Sequence, residues 1–205
     1  MDVLLAHGSS DGRHVEQVKA LACRVSGLLD EEIGAAFLDD HALPEGATVL
    51  PLFLGRGKHV REDVPALIAA SGCRVLPPLD HLADTIADMA VGQMAKETRR
   101  INALFVLYRF AGFEKLAAAL YGRMKICSKH ALASLHSEPS VKTVLMHWRQ
   151  EAVSPISVQP MLLFEGSSMD RMRTMTEAFD INIAPVLSEY DGFTALIADQ
   201  FRQQS

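Results

Sequence analysis

Two histidines follow predicted β-strands at positions where an imidazole could bind a metal ion or accept a proton. His7 lies in Ala6-His7-Gly8-Ser9-Ser10, directly after a short apolar run, and His59 lies in Gly55-Arg56-Gly57-Lys58-His59, after a second apolar run. Neutral imidazole binds first-row divalent metals and accepts protons near neutral pH. Because both histidines stand near glycines at strand ends, we interpret them as a pair that faces one crevice. The alternative is that each is an ordinary surface or capping residue.

A carboxylate is predicted at the same rim. Asp39, in Phe37-Leu38-Asp39-Asp40, ends the second predicted strand. It could orient a histidine, bind a divalent cation or help to move a proton. The alternative is a turn residue, since aspartate favours such positions. The loop after His7 contains neither a G-x-G-x-x-G pattern nor a Walker lysine, so the sequence gives no support to nucleotide binding.

The elements that must position these residues alternate along the chain. Short runs of Val, Leu and Phe are separated by longer segments of helical period, which predicts parallel strands joined by amphipathic helices. The predicted strands are Asp2–Ala6, Ala35–Leu38, Thr48–Leu54, Arg74–Leu76, Leu104–Tyr108, Thr143–His147, Ser157–Phe164 and Ile181–Ala184. The predicted helices are Val15–Leu29, Val60–Ala70, Asp80–Met94, Met169–Ala178 and Tyr190–Phe201. The predicted fold class is therefore α/β, with two similar sandwich halves that each hold a mostly parallel four-stranded sheet flanked by helices.

The second half of the sequence is similar to the first. Pro51–Gly57 matches Pro160–Gly166 at an offset of 109 residues, and Pro77–Leu79 matches Pro185–Leu187 at an offset of 108. A nine-residue connection also precedes each proline-led strand, at Asp39–Ala47 and at Trp148–Ile156. We therefore predict an amino-terminal half at 1–79, a linker helix at 80–98 and a repeat at 99–205.

Composition and charge exclude several classes of protein. The 205 residues are 49% hydrophobic and 22% charged, as in an ordinary globular protein, and three separated cysteines argue against a disulfide framework. The net charge of −5 predicts no general affinity for nucleic acid. We also expect no membrane span and no signal peptide, and hence a cytoplasmic protein.

The charge is distributed unevenly. Residues 96–150 contain 10 basic and 3 acidic side chains, whereas the rest of the chain is acidic. This basic segment could line a cleft for a polyanionic ligand, or it could form solvated helix faces. Its basic residues include Arg99, Arg100, Arg109, Lys115, Arg123, Lys125, Lys129, Lys142 and Arg149.

The motifs in residues 3–67 resemble a known family. The Ala-His-Gly-Ser loop after the first strand, the Phe-Leu-Asp position, and Pro-Leu-Phe-Leu followed by Gly-Lys-His-Val-Arg-Glu-Asp-Val-Pro are similar to those of the class II, ATP-independent tetrapyrrole chelatases. More narrowly, the motifs resemble those of the sirohydrochlorin cobaltochelatases and ferrochelatases of the CbiX type, in the long form, whose two repeats mimic a dimer of short chains. This resemblance implies a monomer with an internal pseudo-dimer. The remainder of the chain matches only through the repeat.

The resemblance implies roles for individual residues. It makes His7 and His59 the metal-binding and proton-accepting histidines and Asp39 a catalytic residue, although the family usually has glutamate at that position. It also implies that the substrate, a polycarboxylated tetrapyrrole, is touched by Ser9, Ser10, Gly55, Arg56, Gly57 and Lys58. The basic segment would then bind the carboxylates, with Arg109 as the preferred contact. No tightly bound cofactor is expected, because the divalent metal, Fe²⁺ or Co²⁺, is itself a substrate.

The repeat predicts one active site in the chain. Ser168 stands at the position equivalent to His59, and Tyr108 stands near the position equivalent to His7. The spacing of His130, His136 and His147 suits no common metal-binding motif, so we expect no second metal site there.

The proposed activity has several alternatives. Some cobalt-inserting members of the family that this sequence resembles carry histidine-rich tails. Because this sequence has no such tail, iron insertion for siroheme is favoured over cobalt insertion for cobalamin. A non-catalytic metal or tetrapyrrole carrier would use the same residues. A phosphate-ester enzyme with His7 as its nucleophile would be expected to have an arginine directly after that histidine, and this chain has Gly8 there.

Overall fold

The computed structural model describes residues 1–40, 42–97 and 102–203, and within them two four-stranded parallel sheets form. Arg99 and Arg100 of the basic segment, and the predicted boundary at 98/99, lie outside the described residues. In the first sheet, the strand order is β2-β1-β3-β4. These strands are β1 (Asp2–Ala6), β2 (Ile33–Phe37), β3 (Thr48–Pro51) and β4 (Arg74–Val75).

Helices cover this sheet through apolar faces. The long helix α1 spans Gly12–Leu29, and α2 spans Val64–Ser71. A π-helical turn, His59–Asp63, leads directly into α2. Asp11 fixes the start of α1, because its carboxylate accepts a hydrogen bond from the Arg13 amide at 3.0 Å. The sheet residues Val3, Leu5 and Val49 are almost fully buried. The strand ends that carry the histidines are therefore held by a packed core.

The second sheet has the same order, β6-β5-β7-β8. Its strands are β5 (Asn102–Leu107), β6 (Lys129–Ser134), β7 (Ile156–Pro160) and β8 (Ile181–Ile183). The helices of this part of the chain are α3 (Ala83–Glu97), α4 (Glu114–Arg123), α5 (Val141–Gln150), α6 (Ser167–Thr176) and α7 (Phe193–Arg202). The predicted fold class is thus confirmed. None of the described helices is both long and apolar enough to cross a membrane.

Two predictions for the second half were wrong. The segment Thr143–His147 is not a strand, because it lies inside α5, where Val144, Leu145 and Trp148 bury one helical face. The second strand of this sheet is β6, which the sequence analysis missed because alanine, lysine and histidine have low strand propensity. The connection from β6 to β7 contains the whole of α5, so the predicted nine-residue connection at Trp148–Ile156 does not match the one at Asp39–Ala47.

Backbone hydrogen bonds give better evidence for the repeat. The amide of Leu52 donates to the Leu5 carbonyl at 2.8 Å, and the amide of Met161 donates to the Val106 carbonyl at the same distance. At the ends of β2 and β6, the amides of Leu38 and Leu135 likewise donate to the carbonyls of Ala6 and Leu107, respectively. The position of His7 therefore corresponds to Tyr108, and the position of Asp39 corresponds to His136.

The compact units differ from the predicted sequence halves at their last helices. One unit comprises residues 1–81 and 191–205, and the other comprises residues 82–190. In the first unit α7 packs against α1, where Arg202 donates to the Leu28 carbonyl at 2.8 Å. In the second unit α3 packs against α4, where Arg123 forms an ion pair with Asp84 at 2.8 Å. The predicted linker helix, α3, thus belongs to the unit that holds the second sheet, and the last helix of the repeat, α7, belongs to the unit that holds the first sheet.

Candidate metal-transfer site

The structure brings His7 and His59 into contact at the carboxyl end of the first sheet. His7 directly follows β1, and His59 begins the π-helical turn before α2. Their Nε2 atoms are 3.1 Å apart, and the two rings meet edge to face with centroids 4.4 Å apart. Because the carboxyl ends of parallel strands share one edge of the sheet, residues separated by 52 positions in sequence meet here.

The Nδ1 atom of each ring already has a hydrogen-bond partner. His59 Nδ1 lies 2.6 Å from Asp63 Oδ2, and His7 Nδ1 contacts the Gly8 carbonyl oxygen. A carboxylate and a carbonyl accept hydrogen bonds, so Nδ1 must be the donor in both histidines. When both rings are neutral, the lone pairs of the two Nε2 atoms therefore face each other.

Two facing lone pairs at this distance suit a shared cation. A metal ion placed about 2.1 Å from each Nε2 atom would subtend an N–metal–N angle of about 95°, close to the octahedral value. A shared proton would also satisfy the pair. No group of three or more His, Cys, Asp or Glu side chains is arranged to hold a metal within the described parts of the chain. The pair itself offers two ligands, whereas a structural metal site typically supplies four.

Asp39 lies against the backbone of the His7 loop. A Cβ atom added to Gly8 would come within 2.7 Å of Asp39 Oδ2 and still closer to Oδ1. Only glycine leaves room for the carboxylate at this point. Asp39 is exposed, so its carboxylate can reach solvent or a ligand. The structure thus places all three predicted catalytic residues around one opening.

The opening is a pocket of about 560 Å³ in the first unit. His7, Asp39, His59 and Asp63 supply its polar groups. Its remaining wall is formed by Gly8, Leu38, Ala66, Leu67 and Ala70. Because polar groups that bind metals and protons lie beside a largely apolar wall, the pocket can hold an apolar part of a ligand next to the two imidazoles.

Two positioning residues were missed by the sequence analysis. Asp63 orients His59, and the spacing of four residues on one helical turn is the signal that could have identified it. His14, on α1, has Nε2 3.1 Å from the carbonyl oxygen of His7. Burial lowers the pKa of His14, although the contact with this carbonyl acts in the opposite direction. A neutral His14 can donate its Nε2 proton to that carbonyl and hold the backbone of the His7 loop.

The predicted substrate-binding residues of the first unit lie around this pocket without lining it. Ser9 accepts a hydrogen bond from the Asp11 amide at 3.1 Å, and Ser10 is exposed. Gly55 is buried, whereas Gly57 is exposed. The remaining two predicted residues are charged. Arg56 donates to the buried Asp80 carboxylate at 2.8 Å, and Lys58 lies 3.9 Å from Glu62. Their contact with substrate stays a prediction.

A family model describes most of the chain. The model of the CbiX family matches residues 2–84 and again residues 109–204. The chain belongs to the CbiX family. The double match also agrees with the two sheets of equal strand order. No curated protein sequence matches this CbiX-family chain significantly.

Solved structures share the fold of this CbiX-family chain. The structure of CbiX, described as the terminal enzyme of siroheme biosynthesis in denitrifying bacteria, is 19% identical, with a TM-score of 0.75 and full coverage of both chains. SirB from Bacillus subtilis subspecies spizizenii, a sirohydrochlorin chelatase in complex with cobalt, is 16% identical, with a TM-score of 0.68 and coverage of 99% and 93%. A multi-domain protein of Deinococcus radiodurans is 17% identical, with a TM-score of 0.64, and the match covers 97% of this chain and 54% of that one.

The second unit of this CbiX-family chain does not repeat the histidine pair. Tyr108 occupies the register position of His7, and Ser168 stands at the position of His59, eight residues after the paired proline. Arg109 follows Tyr108, and its guanidinium carbon lies 5.0 Å from the centre of the Tyr108 ring. The role of Arg109 as a substrate contact stays a prediction.

Proposed function

We propose that this chain inserts a divalent metal ion, Fe²⁺, into sirohydrochlorin without nucleotide hydrolysis. The observation that carries the proposal is the pair of Nε2 atoms, 3.1 Å apart at the mouth of an open pocket, with both Nδ1 atoms engaged elsewhere. Membership of the CbiX family supports the same chemistry. SirB, which shares this fold, is a sirohydrochlorin chelatase.

Metal delivery requires ligands that bind the ion and then release it. Two neutral imidazoles bind a first-row ion through nitrogen, and the tetrapyrrole offers four nitrogens in a plane, so transfer to the macrocycle is favourable. Asp63 holds the His59 ring in the orientation that points Nε2 into the pocket. The macrocycle lies against the apolar wall that includes Leu38 and Leu67.

Insertion also releases two protons from the pyrrole nitrogens for each metal ion that enters. As the ion leaves His7 and His59, the Nε2 lone pairs are freed and each can accept one of these protons. The Asp63 carboxylate stabilises the imidazolium that forms on His59. Asp39, beside Gly8, supplies a further negative charge and a route to solvent. The charge of the entering M²⁺ is thus balanced by the loss of two H⁺.

The two histidines can bind either Fe²⁺ or Co²⁺. Imidazole affinity follows the Irving–Williams order, in which Co²⁺ binds more tightly than Fe²⁺, so two histidines alone do not select iron. Of the structural relatives, CbiX is an enzyme of siroheme biosynthesis, and SirB was solved in complex with cobalt. Comparing kcat/KM for Fe²⁺ and Co²⁺ under anaerobic conditions decides between them. A higher value for Co²⁺ would replace iron in the proposal.

The experiment follows sirohydrochlorin absorbance with the enzyme at catalytic concentration. We expect turnover by the wild-type chain and its loss in His7→Ala and in His59→Ala, with circular dichroism unchanged. The exposed His147 provides a matched control, since His147→Ala removes an imidazole outside the site. Stoichiometric binding without turnover would favour a carrier, and full activity of both histidine variants would refute the proposed mechanism.

A further inference from the structure

A buried carboxylate binds the loop that precedes His59. Asp80 lies in the 3₁₀-helical turn Leu79–Leu82, which follows β4, and its side chain is only 3% exposed. Its Oδ2 atom accepts a hydrogen bond from Nε of Arg56 at 2.8 Å. Arg56 lies in the loop after β3, three residues before His59. An ion pair thus joins a buried turn of the first unit to the loop that carries one of the two histidines.

The same loop is bound to the π-helical turn that begins at His59. The Arg56 carbonyl accepts a hydrogen bond from Nε of Arg61 at 2.9 Å, and the Gly57 carbonyl accepts one from the Arg61 amide at 3.3 Å. Arg61 lies two residues after His59, inside the π-helical turn. Arg56 therefore connects Asp80, which it binds through its side chain, to Arg61, which it binds through its backbone.

Packing alone does not fix this loop. Arg56, Gly57 and Lys58 are all exposed. Among the described residues, a Cβ atom at Gly57 would meet no heavy atom within 4 Å outside its chain neighbours. Exposed backbone with few packing contacts opens easily. The distance of 3.1 Å between the Nε2 atoms of His7 and His59 therefore depends on the hydrogen bonds that hold the loop.

The turn that carries Asp80 is itself anchored in the first unit. Leu79 is fully buried. His81 has Nδ1 2.8 Å from the Pro78 carbonyl oxygen and Nε2 2.9 Å from Oε1 of Gln200 on α7. Asp80 thus projects from a packed and hydrogen-bonded turn. Because a carboxylate is costly to bury without a cation, the turn also favours the loop conformation that brings Arg56 to it.

The second unit has no counterpart of this ion pair. By distance from the paired prolines, Arg56 corresponds to Glu165, and Asp80 corresponds to Ser188. A glutamate and a serine cannot form an ion pair, and the Glu165 carboxylate binds Arg173 at 2.8 Å instead. The unit that has the histidine pair thus has the ion pair, and the unit without the histidine pair has neither.

We infer that Asp80 is a positioning residue for metal transfer, which acts through Arg56 to hold the His59 loop where the two Nε2 atoms meet. The inference rests on the proposed function for the ion that the histidines bind. Because Asp80 is buried, it acts without touching the ion or the macrocycle. Without the ion pair the loop samples other conformations, and the apparent affinity for the ion falls by the fraction of time that His59 is in place.

This role has a kinetic signature that a loss of stability does not share. A saturating ion concentration restores the paired arrangement of the histidines, so KM for the ion rises while kcat changes little. A variant that is merely less stable has fewer folded molecules. Its apparent kcat therefore falls, and its KM for the ion stays unchanged.

The experiment measures the equilibrium Kd of the full chain for Co²⁺ without sirohydrochlorin, and KM for the ion during insertion. We expect Asp80→Ser, which introduces the residue found at this position in the second unit, to raise both about fivefold. Such a rise corresponds to a loop that holds His59 in place for roughly one fifth of the time. Val25→Ala is the matched control, because it truncates a fully buried side chain of α1 and leaves the ion pair intact. Its Kd and KM should stay within twofold of wild type.

Arg56→Met and the double variant test the same contact from its other side. Arg56→Met removes the cation from a buried carboxylate and should lower the free energy of unfolding, whereas the double variant removes both charges. Because the same contact is broken each time, the double variant should raise Kd for Co²⁺ no further than Asp80→Ser does. Fivefold rises that multiply in the double variant would overturn the inference.

The outcomes separate this inference from the proposed function. If the wild-type chain binds Co²⁺ and metallates sirohydrochlorin but Asp80→Ser matches Val25→Ala in Kd and KM, the inference alone fails. If Arg56→Met raises KM for sirohydrochlorin and leaves Kd for Co²⁺ unchanged, Arg56 is a substrate contact and its positioning role is wrong. If the wild-type chain neither binds Co²⁺ nor metallates sirohydrochlorin, the proposed function fails and the inference fails with it.

Discussion

The hydrogen bond between His59 and Asp63 allows a quantitative test of the metal-transfer mechanism. Asp63→Asn keeps the size of the side chain and removes the negative charge that orients His59 and stabilises its protonated form. Loss of such a carboxylate partner costs roughly 10–100-fold in metal affinity or activity. The Nδ1–Oδ2 distance of 2.6 Å favours a strong bond, but the two side chains are 45% and 42% exposed. We therefore expect the lower end, about tenfold in kcat/KM, or about 1.4 kcal/mol.

The assay compares initial rates of Co²⁺ and Fe²⁺ insertion with the equilibrium binding of Co²⁺ to the free enzyme. Asp63→Asn is expected to lower the insertion rates and to weaken the binding of Co²⁺. Glu62→Gln is the matched control, because it removes the same charge from the neighbouring residue, which lies 3.9 Å from Lys58 and does not contact His59 within the described structure. An Asp63→Asn rate equal to that of Glu62→Gln would refute the reasoning that His59 depends on this carboxylate.

Two further predictions follow from the packing. Gly8→Ala should displace the Asp39 carboxylate, lower the free energy of unfolding by about 1 kcal/mol and reduce the insertion rate to that of Asp39→Ala. The double variant should be no slower than either single variant, and additive losses of rate would contradict the contact between Gly8 and Asp39. Gly12→Ala is the control, because a Cβ atom at Gly12 would meet open space. In the second unit, a hydrogen bond from Arg123 holds the pKa of Asp88 below its ordinary value of 3.8. A carboxyl group with a depressed pKa contributes stability above that ordinary value and loses it as the pH falls through the folded-state pKa. Asp88→Asn should therefore cost at most about 1 kcal/mol at pH 7 in urea unfolding, and a difference from wild type that persists in strong acid would count against the pair.

Much of the fold could be predicted from the sequence, because the core of a parallel sheet imposes apolar strands and amphipathic helices. The pattern located β1 and β3, and the rule that parallel strands end at one edge brought His7, Asp39 and His59 together. It failed at Thr143–His147, where a short apolar run fits a strand or a buried helix equally well. Ser140, whose hydroxyl accepts from the Thr143 amide at 3.2 Å, was the overlooked sign of a helix start.

Other features depend on side-chain contacts that the sequence analysis did not anticipate. The direction of each Nε2 lone pair is set by the acceptors at Nδ1, which are Asp63 and the Gly8 carbonyl. The approach of Arg109 and Arg171 to His136 was not predicted either, because Arg171 lies outside the basic segment and comes near this histidine only in the folded chain. The sequence also shows that α7 is amphipathic but gives no indication of which helix it will cover.

The placement of α3 and α7 in the two compact units determines how this chain can be divided into fragments. A fragment ending near residue 98 would carry α3, whose partner α4 is missing from it, and would lack α7, which covers α1. The apolar residues that α7 buries, Phe193, Ile197 and Phe201, would be lost from that fragment. We therefore expect neither fragment to fold alone, whereas the two fragments supplied together can restore both units.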